Sequence, residues 1–478
     1  MKRLSKILGL LLIPFLFSFC KRTHNVEVWV TNSDGSKQLE QVQSTRMRTA
    51  EQKVIADSAF VIDIDIDTKY QIMIGFGGAI CDNSAYVFDN YLQRESVNSL
   101  FEELFSSKGI RLNYLRMIMG STDNSFDWYT YDDMPDGYTD ENMEHFSMKK
   151  DEDVIPYFQL AKQINSELMI LGSPCSPPAW MKTSKNLFSG SVKPQYYPAL
   201  TRYFVKYIGT MKRDYNLDVE AITIQNEPLY EKYVPEPRYP NMYMPAEEQR
   251  DFIKGFLGPV FKENNIDTKI VIFDHNWDLN DYPLTVLADS VALQYVSATG
   301  FHCYGGGPEL MKSIHEKYPE KDIYHTECSL GGWGSQDMSG IMTWLVGEVF
   351  IGNIENYTSV VLLWYMATDE KSGPVTNGCP SCRGFVTINS QTGEITRNPE
   401  YYLTGHFSKF VNKGAVRVKS TNYREHSLRN VAFVNPDGSK VVVALNSSEK
   451  WRLLALRDKE KMFTYRIEPH STVTFKWE

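Results

Sequence analysis

The segment Ala221-Ile-Thr-Ile-Gln-Asn-Glu-Pro228 and its counterpart Asp322-Ile-Tyr-His-Thr-Glu327 set the fold expected of this chain. Each is a short strand-like run that stops in a carboxylate. Further runs of the same kind close near Phe76, Arg116, Gly172, Asp274, His302 and Trp364. Amphipathic stretches that suit helices separate them, at 93–107, 151–166, 196–216, 246–264, 307–318 and 336–354, with a weaker one at 283–293 and a last one at 400–411. Short apolar runs alternating with long amphipathic ones are the pattern of βα units around a parallel sheet. Eight strand–helix pairs are the number that closes a (β/α)8 TIM barrel, which predicts an α/β barrel over 71–412.

On either side of the barrel, residues 25–70 and 413–478 alternate apolar and polar in short runs, such as Val26-Glu-Val-Trp-Val30 and Val431-Ala-Phe-Val434. Turn signals such as Asn435-Pro-Asp-Gly438 separate them, and together the two ends predict one side β-sandwich. Residues 1–20 read as an export signal: Lys2, Arg3 and Lys6 precede an apolar stretch from Ile7 to Phe19. That stretch is too short for a hydrocarbon core of ~30 Å. Cys20 stands where a bacterial lipoprotein is acylated, which predicts an exported protein at the cell surface or in the periplasm, or otherwise a secreted one. A lipid on Cys20 would be its membrane contact.

The 478 residues are 42% hydrophobic and 23% charged, ordinary globular usage that excludes global disorder and fibrous folds. A net charge of −9 argues against a nucleic-acid partner, which needs cations to neutralise phosphates. Aromatic residues at 13% supply flat apolar faces of the kind that stack on sugar rings. Seven cysteines are too sparse for a disulfide scaffold. Cys379-Pro-Ser-Cys382 reads as a small loop disulfide, and Cys81, Cys175, Cys303 and Cys328 as core thiols. Gly75-Phe-Gly-Gly78 lacks the dinucleotide and Walker spacings and reads as close backbone packing, and no metal is expected at Cys379 and Cys382, which have no further ligands nearby.

The chemistry is expected at the C-terminal rim of the barrel, where most of these strands end in a reactive or polar residue. Strands four and seven lie across the mouth, so Glu227 and Glu327 can face one cleft. A retaining glycosidase needs two carboxyls roughly 5–5.5 Å apart, one as acid/base and one as nucleophile. Either glutamate alone reads equally well as a satisfied rim carboxylate. The pair, with Asn226 before the first and aromatics at neighbouring strand ends, reads as catalysis. Like-charge repulsion is expected to raise one carboxyl so that it stays protonated. Asn226 can hold a sugar hydroxyl, Tyr304 can donate to Glu327, Trp180 and Trp364 can stack on a pyranose, and Asp123 and Arg116 can fork onto its hydroxyls.

These residues resemble glycoside hydrolase family 30, the family of the glucosylceramidases. The resemblance rests on Gly75-Phe-Gly-Gly-Ala-Ile80, Leu115-Arg116, Ser121-Thr-Asp123, Ser173-Pro-Cys-Ser-Pro-Pro-Ala-Trp180-Met-Lys182, Gln225-Asn-Glu-Pro228, Phe301-His302, Thr326-Glu327 and Gly405-His-Phe-Ser-Lys-Phe410. It implies a barrel with a side β-domain, retaining hydrolysis of β-glycosides without a cofactor, Glu227 as acid/base and Glu327 as nucleophile. It also implies that Arg116, Asp123, Trp180, Asn226, His302, Tyr304 and Trp364 line the sugar pocket.

Two departures bear on substrate: Tyr365-Met-Ala-Thr-Asp369 after the last barrel tryptophan, and Gly378-Cys-Pro-Ser-Cys-Arg-Gly384. The Cys-x-x-Cys-Arg-Gly element resembles the β-1,6-glucanase branch, so the expected partner is a β-glucan polysaccharide or oligosaccharide, 1,6-linked. The alternatives are a glucosylceramidase-like exo-β-glucosidase and, in another class, a non-catalytic carbohydrate-binding surface lipoprotein.

Overall fold

A computed structural model describes residues 25–49, 59–234, 236–375 and 377–478. The export signal and Cys20 lie outside the described residues. Eight parallel strands close the barrel: β1 (Gly75–Ala79), β2 (Tyr114–Ile118), β3 (Met169–Ser173), β4 (Ala221–Thr223), β5 (Lys269–Asn276), β6 (Val296–His302), β7 (Asp322–Glu327) and β8 (Thr358–Tyr365). Each pairs with its sequence neighbour, and β8 returns to β1.

Alternation along each strand divides the core in two. Tyr114, Leu171, Ala221, Val271, Ala298, Tyr324, Val360 and Leu362 fill the barrel interior. Their neighbours, such as Val361 and Leu363, face the helices, so the strands are apolar on both faces as a covered parallel sheet requires. Gly77 sits where a Cβ would fall 1.7 Å from the Tyr114 carbonyl oxygen, so only glycine lets β1 approach β2 here.

The helices follow the same logic. Tyr197–Tyr215 buries Leu200, Tyr203, Phe204, Tyr207 and Met211, one stripe at helical spacing. It ends at Asn216, whose φ of 57° is the left-handed conformation in which Asn often stops a helix. The stretches expected at 246–264 and 336–354 each run on through a π-helical segment, Ile253–Leu257 and Thr343–Gly352. The structure adds a helix at Asp82–Tyr91 and a small sheet of Ala367–Asp369, Val386–Ile388 and Ile395–Arg397 beyond β8. No helix among the described residues is long and apolar enough to cross a membrane.

Strands from both chain ends form one ten-stranded sheet beside the barrel. Its long strand Phe60–Ile72 pairs in parallel with Arg452–Asp458 at its start and antiparallel with Val416–Ser420 along the rest. That change of partner turns the sheet over a core of Val28, Ile62, Val442, Leu456 and Phe475. His406, on the last barrel helix, is hydrogen-bonded to Thr31 and Thr474, one residue from each end of the chain.

Candidate active site

Glu227 and Glu327 meet at the C-terminal rim. Each offers a carboxylate oxygen to a group, completed by an imidazole nitrogen of His302, whose three atoms lie within 4.8 Å of one another. Glu327 ends β7. Glu227 follows β4 with a φ of 44°, a costly conformation for a side-chain-bearing residue, and its N–H donates to the Asp274 carbonyl at 3.0 Å. Both open onto a cleft of about 400 Å³ whose walls include Asp123, Tyr304 and Trp364.

Beneath the pair lies a buried ionic network. Arg116 has no solvent exposure. Its guanidinium pairs with Glu327 and with Asp274 at 2.8 Å, donates to Asn226 at 2.8 Å and to Ser173 at 3.1 Å, and stacks under Trp364 at 5.2 Å. Arg116 therefore holds Glu327 from below rather than gripping sugar hydroxyls, which corrects the expectation from sequence. Tyr304 donates to the other Glu327 oxygen at 2.8 Å.

Asp274 is the hub; sequence reasoning placed it at a strand end but gave it no role in the site. Its carboxylate also accepts from Ser173, Thr223 and Thr326 and meets His302 Nε2 at 3.0 Å. Phe273 and Asp274 have φ values of 74° and 67°, and the β5–β6 register shifts at this point. This bulge turns Asp274 inward. Burial would raise the Asp274 carboxyl, but Arg116 and His302 hold it well below the usual carboxylate range.

His302 bridges Asp274 and Glu227, with Nδ1 3.0 Å from Glu227 Oε1. Burial opposes its charge, yet Glu327 and Asp274 push the imidazole up to about 10. Burial likewise opposes charge on Glu227, but the His302 hydrogen bond, the nearby charge of His275 and the Tyr239 hydroxyl at 2.9 Å bring it down to about 2. The rise that like-charge repulsion was expected to give is not seen at Glu227, where His302, His275 and Tyr239 outweigh burial and hold the carboxyl down. Asp123 differs. Burial, then the charge of Glu327, pushes it up to about 7.

Trp180 is not among the residues lining the cleft. Its indole N–H donates to the Asp132 carbonyl at 3.0 Å and its ring packs on Tyr196, so it supports the wall from behind. The cysteines need a correction as well: Cys303 and Cys328 are disulfide-bonded, and only Cys81 and Cys175 are free among the described residues. Each bridged cysteine directly follows a partner in the β6–β7 register, His302 and Glu327, so the bond clamps the strand ends carrying Tyr304 and Glu327. Cys379 and Cys382 form the loop disulfide and line the cleft mouth.

Among the described residues, two clusters have the donor atoms of a metal site. In one, Glu227, His302 and Glu327, the cations Arg116 and His302 already balance the carboxylates. In the other, Cys303, His325 and Cys328, both sulfurs are consumed in the disulfide.

Residues 73–411 match the glycosyl hydrolase family 30 TIM-barrel domain and 414–475 the family 30 beta sandwich domain. The chain is 34% identical over 400 residues to the endo-1,6-beta-D-glucanase BGN16.3 of Trichoderma harzianum, covering 79% of this chain and 78% of that one. It is 28% identical over 440 residues to the lysosomal acid glucosylceramidase of Mus musculus, covering 88% and 84%. The solved structure of the endo-beta1,6-glucanase BT3312 superimposes with a TM-score of 0.85 at 31% identity, over 95% of this chain and 99% of that one. Barrel, sandwich and relatives agree, and the chain belongs to glycosyl hydrolase family 30.

Proposed function

We propose that the protein is a retaining endo-β-1,6-glucanase that works by double displacement. One observation carries the mechanism: carboxylate oxygens of Glu227 and Glu327 within 4.8 Å of each other at one cleft. That spacing suits direct attack by a carboxylate and leaves no room for the intervening water of an inverting enzyme. The linkage is supported by the endo-1,6-glucanase relatives and by the Cys379–Cys382 loop at the cleft mouth.

Glu327 attacks the anomeric carbon, fixed by the Arg116 guanidinium and the Tyr304 hydroxyl. As the glycosidic bond lengthens, Glu227 delivers a proton to the leaving oxygen. Its supply is His302, 3.0 Å away. Charge developing on the leaving oxygen draws the proton along that hydrogen bond, from His302 to Glu227 and on to the oxygen, so no neutral Glu227 has to accumulate beforehand. A glycosyl ester on Glu327 results. Glu227, now a carboxylate, takes a proton from water, whose oxygen attacks the ester carbon and restores Glu327, and the proton returns across the hydrogen bond to His302. Trp364 and Asp123 contact the sugar from the cleft wall, and Asn226 stands beside the pair with its carbonyl turned to Arg116.

The test is a substrate panel. Pustulan, β-1,3- and β-1,4-glucans and an aryl β-glucoside are incubated with enzyme, and products are sized by chromatography. Early release of mixed gluco-oligosaccharides from pustulan supports the proposal. Release of glucose alone, or turnover of the aryl glucoside without pustulan, favours the glucosylceramidase-like reading instead. The basic and apolar leader ending in Cys20 also supports export with a lipid on that cysteine, checked by radiolabelled palmitate incorporation that Cys20→Ala abolishes.

A further inference from the structure

The cleft continues past Tyr304. A neighbouring hollow of about 590 Å³ shares Tyr304, Ser329 and Trp333 with it and extends along Leu330, Ile341 and Trp344. Trp333 is 57% exposed and Trp344 37% exposed, whereas Leu330 and Ile341 are buried. The surface offered to a ligand is therefore mainly aromatic, from the two indoles and Tyr304, and no charged side chain lines it.

Both rings are held in place. Trp344 rests edge-on against buried Trp277, with centroids 6.3 Å apart. Trp333 folds back over Gly331, where a Cβ would fall 2.3 Å from the indole and 2.4 Å from the Ser381 carbonyl oxygen. Gly331 is bridged to Cys382, the Gly332 N–H donates to Ser381 at 3.0 Å, and the Gln336 amide ties Gly331 and Gly334 together. The Cys379–Cys382 disulfide closes the segment against which this turn leans. A platform fixed before binding loses little entropy when a ligand arrives.

We infer that this hollow is a further glycosyl-binding subsite, in which Trp333 and Trp344 stack on pyranose rings of the β-glucan chain cleaved at Glu227 and Glu327. The inference rests on the proposed glucanase activity. Continuity through the three shared residues means that a chain laid across the glutamates enters the hollow without leaving the surface. Exposed indole faces suit the C–H face of a sugar. An acyl chain would instead call for aliphatic walls, and here those side chains are covered.

The experiment compares kcat/KM on a long and a short β-1,6-gluco-oligosaccharide for wild type, Trp344→Ala, Trp344→Phe and Trp333→Ala, with melting temperatures to confirm folding. Loss of one stacking ring should lower the long-to-short ratio about tenfold in each alanine variant, and Trp344→Phe should recover most of it. The cleavage pattern of reducing-end-labelled substrate should shift in parallel. An unchanged ratio in both alanine variants would overturn the subsite. So would loss of affinity for an alkyl glucoside with the oligosaccharide ratio intact, which would assign the hollow to an apolar chain. Failure of the wild type to cleave any β-glucan would instead remove the glucanase reading, and this inference with it.

Discussion

The Cys303–Cys328 disulfide gives a prediction whose size can be worked out. It closes a loop with a sequence separation of 25. Chain-entropy arithmetic for a loop of that length gives about 12 cal/mol/K, or about 3.5 kcal/mol at 25 °C, lost when the bond is removed. A functional cost is added, because the bridged residues sit next to Glu327 and next to Tyr304, whose hydroxyl holds that carboxylate at 2.8 Å. A nucleophile displaced by about 1 Å can lose about 100-fold in rate. The double variant Cys303→Ser, Cys328→Ser should therefore unfold at lower urea, by an amount equivalent to about 3.5 kcal/mol, and lose between about 10- and 100-fold in kcat with little change in KM. Unfolding is followed by tryptophan fluorescence and activity by initial rates on pustulan oligosaccharides. Thiol titration in denaturant checks the pairing: a chain beginning at Asn25 should show two thiols, Cys81 and Cys175. Labelling of Cys303 and Cys328 as free thiols, or a variant matching wild type in both stability and kcat, would refute the reasoning.

Three other outcomes follow from the site. Asp274→Asn should lower kcat by more than about 100-fold at unchanged fold, read by activity with circular dichroism, because Arg116 and His302 lose the buried carboxylate they share. Asp123→Asn should stabilise the protein as pH rises. With Asp123 raised from 3.8 to about 7, the folded state keeps a proton that the unfolded state releases, so wild-type stability falls between about pH 4 and pH 7. The melting-temperature gap between variant and wild type should open over that window and level off above it, with a ceiling of about 4 kcal/mol that solvent at the cleft mouth reduces. Glu227→Ala should retain turnover of substrates with a good leaving group, and azide should accelerate it, whereas the same change at Glu327 should not allow this on β-configured product.

The barrel was legible because its strands must be apolar on both faces and its helices on one, and those periods survive in the sequence at most units, though not in the glycine-rich first strand Gly75–Ala79 or the helix Asp82–Tyr91. Glu227 and Glu327 were legible because each ends such a strand. The strand end at Asp274 was legible but its role was not, because the inward turn depends on two left-handed residues in a bulge that no local pattern announces. Arg116 was located but misread, since only the assembled barrel shows four partners closing over its guanidinium. The Cys303–Cys328 bond could have been found. Both cysteines directly follow strand-end residues on adjacent strands, and correct register alone brings them together. Trp180 sits inside a matching motif, yet its indole N–H is satisfied by Asp132, and spacing along the chain carries no information on which way the ring turns.

The whole mechanism depends on Glu327 forming the covalent bond to the sugar. Incubation with an activated 2-deoxy-2-fluoro β-glucoside or its 1,6-linked disaccharide, followed by intact mass and peptide mapping, probes that bond itself. One glycosyl unit per chain, carried by the peptide containing Glu327, is the predicted result. An adduct on Glu227, or continued turnover with no adduct and release of the α-anomer, would contradict it.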